Sequence, residues 1–269
     1  MTRPRRAGVA VAALGAALAA LVIGPAADVP GSAAVAADPP LQVVGDARYV
    51  VEPDHSRVRV SVALVVRNTR GETTTRRYWY DRAYLAVQPT ATTPRVSGTG
   101  AAPSVRVARS AKDHRLLEIR LGRRLHSGQS TQLRLTFQLR DHGGAPERPI
   151  RIGPGLVSFP VWAFASDATG GAKASVVIPP GYQVQYGAGA FAESERLADG
   201  SIRLATGPLA DATRLRAYPV ATGDAAFTEA KLSVPTAGGP LAVTVAGWTD
   251  DAAWRRRMAG LVADAATAV

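Results

Sequence analysis

Arg57-Val58-Arg59-Val60-Ser61-Val62-Ala63-Leu64 puts an apolar side chain at every second position, the period of a strand with one buried face. Gln132 to Arg140 repeats the alternation strictly, and Leu116 to Leu121 is another apolar run. Between these two, His126-Ser127-Gly128-Gln129-Ser130 supplies turn chemistry, so residues 116–140 are expected to form neighbouring antiparallel strands. Arg76 to Gln88 is rich in Tyr, Trp and Val, which suit a pleated surface. Further strands are expected at 157–164, 173–178, 202–205 and 213–220. Residues 38–47 read as a lead-in. Residues 89–103, with Pro89, Pro94, Gly98, Gly100 and Pro103, read as a loop, and so do 141–149. Short strands punctuated by turns predict an all-β, antiparallel β-sandwich over 38–234 rather than alternating βα units.

The pattern changes near residue 235. Pro235-Thr236-Ala237-Gly238-Gly239-Pro240 has the composition of a linker (235–240), and Leu241 to Ala246 reads as a strand. Thr249, Asp250 and Asp251 carry side-chain oxygens suited to capping a helix. Trp254, Met258, Leu261, Val262 and Ala265 then recur at helical spacing. The helical pattern carries no capping glycine, so 241–269 is expected to open a second domain missing from this chain.

The N-terminus has a different character. Arg3, Arg5 and Arg6 precede 17 uncharged residues from Ala7 to Ile23, and Gly24-Pro25 breaks that run. Ala33-Ala34-Val35-Ala36-Ala37 offers small residues for cleavage, so 1–37 reads as a secretory signal peptide and the chain as secreted or extracytoplasmic. Arg5-Arg6 hints at twin-arginine export, in poor flanking context. The competing reading is a retained anchor, and membrane contact is expected only through an uncleaved signal. Alanine is weakly apolar and the run is short for a span.

Composition adds two constraints. Residues 1–37 carry three arginines and Asp28, so the remainder has a net charge of +9, with 29 Arg in the chain against three Lys. This excess suits anionic partners such as cell-wall polymers, but many of the arginines fall at alternate strand positions and read as a solvated sheet face. Nucleic acid is not expected as a partner. The chain has no cysteine, which excludes thiol catalysis, zinc ribbons and disulfide support.

Catalytic patterns are sparse. His55, His114, His126 and His142 lack the i, i+4 spacing of a helical zinc pair, and neither HExxH nor a G-x-S-x-G elbow occurs. Gly153-Pro154-Gly155 and Gly187-Ala188-Gly189 read as turns, not phosphate cradles. Glu193 and Glu195, beside Arg196, read as an exposed charge cluster. The candidate ligand-binding residues are Tyr78, Trp79, Tyr80 and Tyr84, near Arg76, Arg77 and Arg82, a set able to take a sugar or a peptide. Packing between sheets accounts for the same rings.

Three stretches resemble the N-terminal β-domain of aminopeptidase-N-like gluzincins (peptidase MA-like proteins), in particular secreted actinobacterial ones. They are Ser158 to Tyr186, where Phe159-Pro160 and Asp167 precede a Lys173-Ala174 strand ending in Pro179-Pro180-Gly181, a Pro-x-Gly; Leu125 to Leu139; and Gly247-Trp248-Thr249-Asp250-Asp251-Ala252-Ala253-Trp254. The resemblance implies a non-catalytic N-terminal β-domain of a zinc-metallopeptidase-like protein, scaffolding a catalytic domain absent from this chain. It implies no catalytic or metal-binding residue and no cofactor here, with zinc belonging to a full-length relative. The partner it implies is that missing catalytic domain, within the same protein. The alternative is a stand-alone extracytoplasmic binding module for cell-wall glycan, peptide or anionic polymer.

Overall fold

The computed structural model describes residues 40–99, 102–144, 147–166, 170–186, 191–215, 217–224, 227–236 and 238–267. The signal-peptide expectation for 1–37 and the Gly187-Ala188-Gly189 turn lie outside them.

The first hairpin pairs β1 (Leu41–Glu52) with β2 (Arg57–Asn68), closed by a 3-10 turn over Pro53–His55. β3 (Trp79–Val87), β4 (Thr92–Gly98), β5 (Ser104–Ser110), β6 (Arg115–His126) and β7 (Ser130–Arg140) follow. Next come β8 (Arg151–Ile152), β9 (Leu156–Ser158), β10 (Lys173–Ile178), β11 (Tyr182–Tyr186), β12 (Glu193–Arg196), β13 (Ile202–Ala205) and β14 (Val220–Gly223). The chain then forms β15 (Phe227–Thr236), β16 (Gly239–Trp248) and the helix α1 (Ala252–Thr267). A seven-stranded sheet runs β12-β13-β10-β1-β2-β7-β4, a three-stranded sheet β3-β6-β5, and a four-stranded sheet β11-β14-β9-β8; β15 and β16 pair separately. Pairing is antiparallel except between β1 and β10. The all-β, sandwich-like fold with a C-terminal helix is therefore as the alternation predicts.

Alternation sets the core. Ala47, Tyr49 and Val51 on β1, Val58 to Val66 at even positions on β2, and Leu133, Leu135, Phe137 and Leu139 on β7 are each at most 5% exposed. They join Leu85, Leu117, Ile119 and Leu121 of the three-stranded sheet and Ile152, Val157 and Ala221 of the four-stranded sheet in one apolar cluster. Each such aliphatic side chain contributes about 1.5–3 kcal/mol when fully buried.

Several expectations need correction. β6 and β7 are consecutive but do not pair: β6 joins β3 and β5, whereas β7 joins β2 and β4. The turn between them is an arch from one sheet to the other. Gly128, at φ +73°, and the buried Asn68 hold it. The Asn68 side-chain amide donates to the carbonyl of Leu125, and its backbone exchanges hydrogen bonds with Gly128 and Gln129. Second, the lead-in is already strand from Leu41, and the proline-bearing loop contains β4. Pro94 is accommodated there because β4 is an edge strand whose register slips between Thr92 and Arg95. Third, the ends of the 235–240 segment belong to the β15–β16 hairpin, with Pro235 paired to Pro240 and Thr236 to Gly239. The 157–164 and 213–220 runs are strand only at Leu156–Ser158 and from Val220, with one bridge between Val161 and Ala217.

Candidate functional site

The predicted aromatic residues lie at the start of β3 and along it. Trp79 and Tyr84 are 43% and 50% exposed, so they do not pack between the sheets. The Arg70 guanidinium sits 3.6 Å from the centre of the Tyr78 ring, and that of Arg124 sits 4.3 Å from the Trp79 ring. Each cation covers one face of its ring, a contact worth about 0.5–1 kcal/mol at an exposed site. A bulge between Tyr80 and Arg82 breaks the alternation, which separates Tyr84 from the other three.

Tyr84 instead pairs across the sheet with Glu118, which pairs in turn with Arg106. Glu118 is nearly covered, accepting from Arg106 at 2.5 Å, with Arg82 and Arg120 each 3.7 Å away. The Arg106 hydrogen bond, then the charges of Arg106, Arg82 and Arg120, outweigh burial and hold the Glu118 carboxyl below its ordinary value. This is an arginine-roofed carboxylate on the outside of the sheet. Oε2 is engaged by Arg106, while Oε1 is buried without a hydrogen-bond partner among the described residues and faces the charges of Arg82 and Arg120, an arrangement suited to structure.

The other sequence candidates stay apart. His55, His126 and His142 are exposed, and the His114 ring meets its neighbour Asp113. Glu193 and Glu195 sit on the edge strand β12 within 3.3 and 3.7 Å of Arg203, an exposed charge cluster as expected. Gly153 and Gly155 do form a turn, yet they also do something the sequence did not announce.

That turn receives the C-terminal hairpin. A Cβ at Gly155 would collide with the indole of Trp248, and one at Gly153 with the carboxylate of Asp250. Beside it lies a chain of four charged side chains, Asp141, Arg148, Asp251 and Arg151. Asp141 accepts from Arg148 Nε at 2.8 Å and from the backbone N–H groups of Gly143 and Ile152. Arg148 reaches Asp251 at 3.3 Å, and Arg151 donates to the other oxygen of Asp251. All four side chains are at most 15% exposed. Asp251 is also the helix cap: its carboxylate accepts from the Trp254 N–H and its carbonyl from the Arg255 N–H. Of the expected capping residues, Asp251 does the work, and one side chain both starts α1 and fixes it to the sandwich. Arg257 on the helix pairs with Glu147, and Arg255 donates to the Trp248 carbonyl. The Trp248 indole N–H is buried without a hydrogen-bond partner among the described residues.

The donor set does not fit zinc: among the described residues, no group of three or more His, Cys, Asp or Glu side chains is placed to hold a metal ion. No protein-family profile matches the chain, and no curated protein matches it. Solved structures do. An M1 zinc metallopeptidase from Deinococcus radiodurans is similar at 19% identity with a TM-score of 0.37, over 77% of this chain and 47% of that one. A mutant of the same enzyme bound to a Tyr-Ser-Ala substrate is similar at 17% identity with a TM-score of 0.37, over 82% and 52%. The chain thus spans about half the length of the structures it matches.

Proposed function

We propose that this chain is a non-catalytic scaffolding β-domain of a zinc-metallopeptidase-like protein, and that its C-terminal hairpin and helix set the position of what they connect to. The observation that carries this reading is the ionic joint. The stretch Gly247 to Trp254, which resembles the lead-in to a gluzincin catalytic domain, is the stretch that Asp141, Arg148 and Arg151 hold against the sandwich through Asp251. A loose tether needs no buried, mutually satisfied charges, whereas a scaffold that orients a neighbour does. Removing one member of such a buried network costs about 3–5 kcal/mol, which makes the arrangement selective for one geometry.

The test is direct. The purified chain, given zinc and a panel of aminoacyl p-nitroanilides, is expected to show no turnover above the protein-free rate, and to retain no stoichiometric zinc after dialysis. Metal-dependent hydrolysis, or one tightly held zinc per chain, would overturn the non-catalytic reading.

A further inference from the structure

Among the described residues, no element packs against the outer face of the seven-stranded sheet at the centre of β1, β2, β7 and β4, which forms a groove of about 720 Å³. Arg48, Arg59, Arg95 and Arg134 line it, with no acidic side chain among the lining residues. The register places them closely. Arg48 lies opposite Ser61, Ser61 opposite Thr136, and Thr136 opposite Arg95, so one row crosses four strands with a cation at each end. That row spans about 14 Å at the usual strand separation. Arg59 is the diagonal neighbour of Arg48, and Arg134 that of Arg95. Diagonal neighbours lie about 7–8 Å apart at their Cα atoms.

The chemistry of the face narrows the ligand. Arg59 is engaged by Glu52 at 2.5 Å, but Arg48, Arg95 and Arg134 form no ion pair among the described residues; Arg134 only reaches the Ser61 hydroxyl at 3.3 Å. Three cations held together without matching carboxylates, beside a fourth that Glu52 engages, call for an outside anion. The guanidinium fork matches phosphate and carboxylate oxygens. The outward positions of β1, β2, β7 and β4 carry no aromatic ring, so neither a sugar ring nor a base finds a stacking platform. The groove lies mainly on a sheet face and meets the edge strand β4 only at one end, where Pro94 and a register slip interrupt the ladder, so an acidic peptide gains little backbone pairing there. What remains is a flexible chain of oxyanions, and the floor of Ser61 and Thr136 offers hydroxyls to its spacers.

We propose that this groove binds a linear phosphodiester polymer with short polyol spacers, its successive phosphates engaging the Arg48–Arg59 and Arg134–Arg95 diagonals. Phosphates joined through a three-carbon spacer repeat at about the diagonal spacing, on the order of 7 Å, whereas directly linked phosphates lie much closer together.

The experiment is titration of the full chain with a synthetic glycerol-phosphate decamer in 0.15 M salt, beside inorganic polyphosphate, poly-glutamate and oligo-dT of equal charge. The glycerol-phosphate chain is expected to bind most tightly, and the Arg48→Ala/Arg95→Ala variant to weaken it at least tenfold with an unchanged circular dichroism spectrum. Arg214→Ala, on an exposed side chain elsewhere, is expected to bind as wild type. No binding, equal or tighter binding of any of the other three polymers, or an affinity the double variant leaves intact would each overturn the proposal.

Discussion

The seven-stranded sheet and the C-terminal hairpin are both made of alternating strands, yet they are secured in different ways. On β2 and β7 nearly every inward side chain is buried in one continuous apolar cluster. On β15 and β16 only Val234 and Val245 are buried hydrophobics, while Phe227 and Leu241 are 61% and 51% exposed. The hairpin therefore gains little from apolar burial. It is located by Trp248 against Gly155, by Asp250 against Gly153, and by Asp251 between two arginines. Hydrophobic burial is non-directional and gives stability. A short set of buried charges with fixed partners gives orientation, at a desolvation cost that makes it useful only in the right geometry.

Substitutions can sharpen that contrast, beginning with the greatest effect. Phe137→Ala removes a fully buried ring that meets Phe164 edge-on, and is expected to cost about 3–5 kcal/mol in urea denaturation. A cost near 1 kcal/mol would mean that the interior is loosely packed. Asp251→Asn preserves shape and capping ability but removes the carboxylate that Arg148 and Arg151 share. It is expected to cost about 3 kcal/mol, less than the ring, in the same titration. The arginine-roofed Glu118 should matter least and only at high enough pH. Its carboxyl is held below the ordinary value of about 4.3, so its contribution is present above that value and is lost as pH falls through the folded value. A thermal melt series from pH 7 to pH 3 is thus expected to show a shallower acid-side decline for Glu118→Gln than for wild type. Identical slopes would show that the arginines do not stabilise the ionised form.

The sequence was informative about faces and poor at partners. Alternation correctly marked the inward residues of β2 and β7, because the period of a strand is local. It wrongly paired β6 with β7, because a short glycine turn serves an arch between sheets as readily as a hairpin; the deciding contact is Asn68, some 57 residues from the Leu125 carbonyl it holds. Pro94 and the Pro235–Pro240 run suggested loop and linker, since edge strands and hairpin turns use the same residues. Among the helix positions, Trp254, Met258 and Val262 are partly buried, whereas Leu261, three residues from Met258 and on the same face by helical spacing, is half exposed. The aromatic cluster was visible in the sequence, but not the arginines over its rings. The joint left no local signal, because Arg148 and Arg151 are 103 and 100 residues from Asp251.

The most direct test of the joint is hydrogen–deuterium exchange on wild type and Asp251→Asn at neutral pH. If Asp251 fixes the C-terminal unit, the variant will exchange at least tenfold faster through β15, β16 and α1, with the backbone amides of β2 and β7 relatively spared. Equal protection of 227–267 in the two proteins would contradict the account, since the hairpin and helix would then be held by something other than this network.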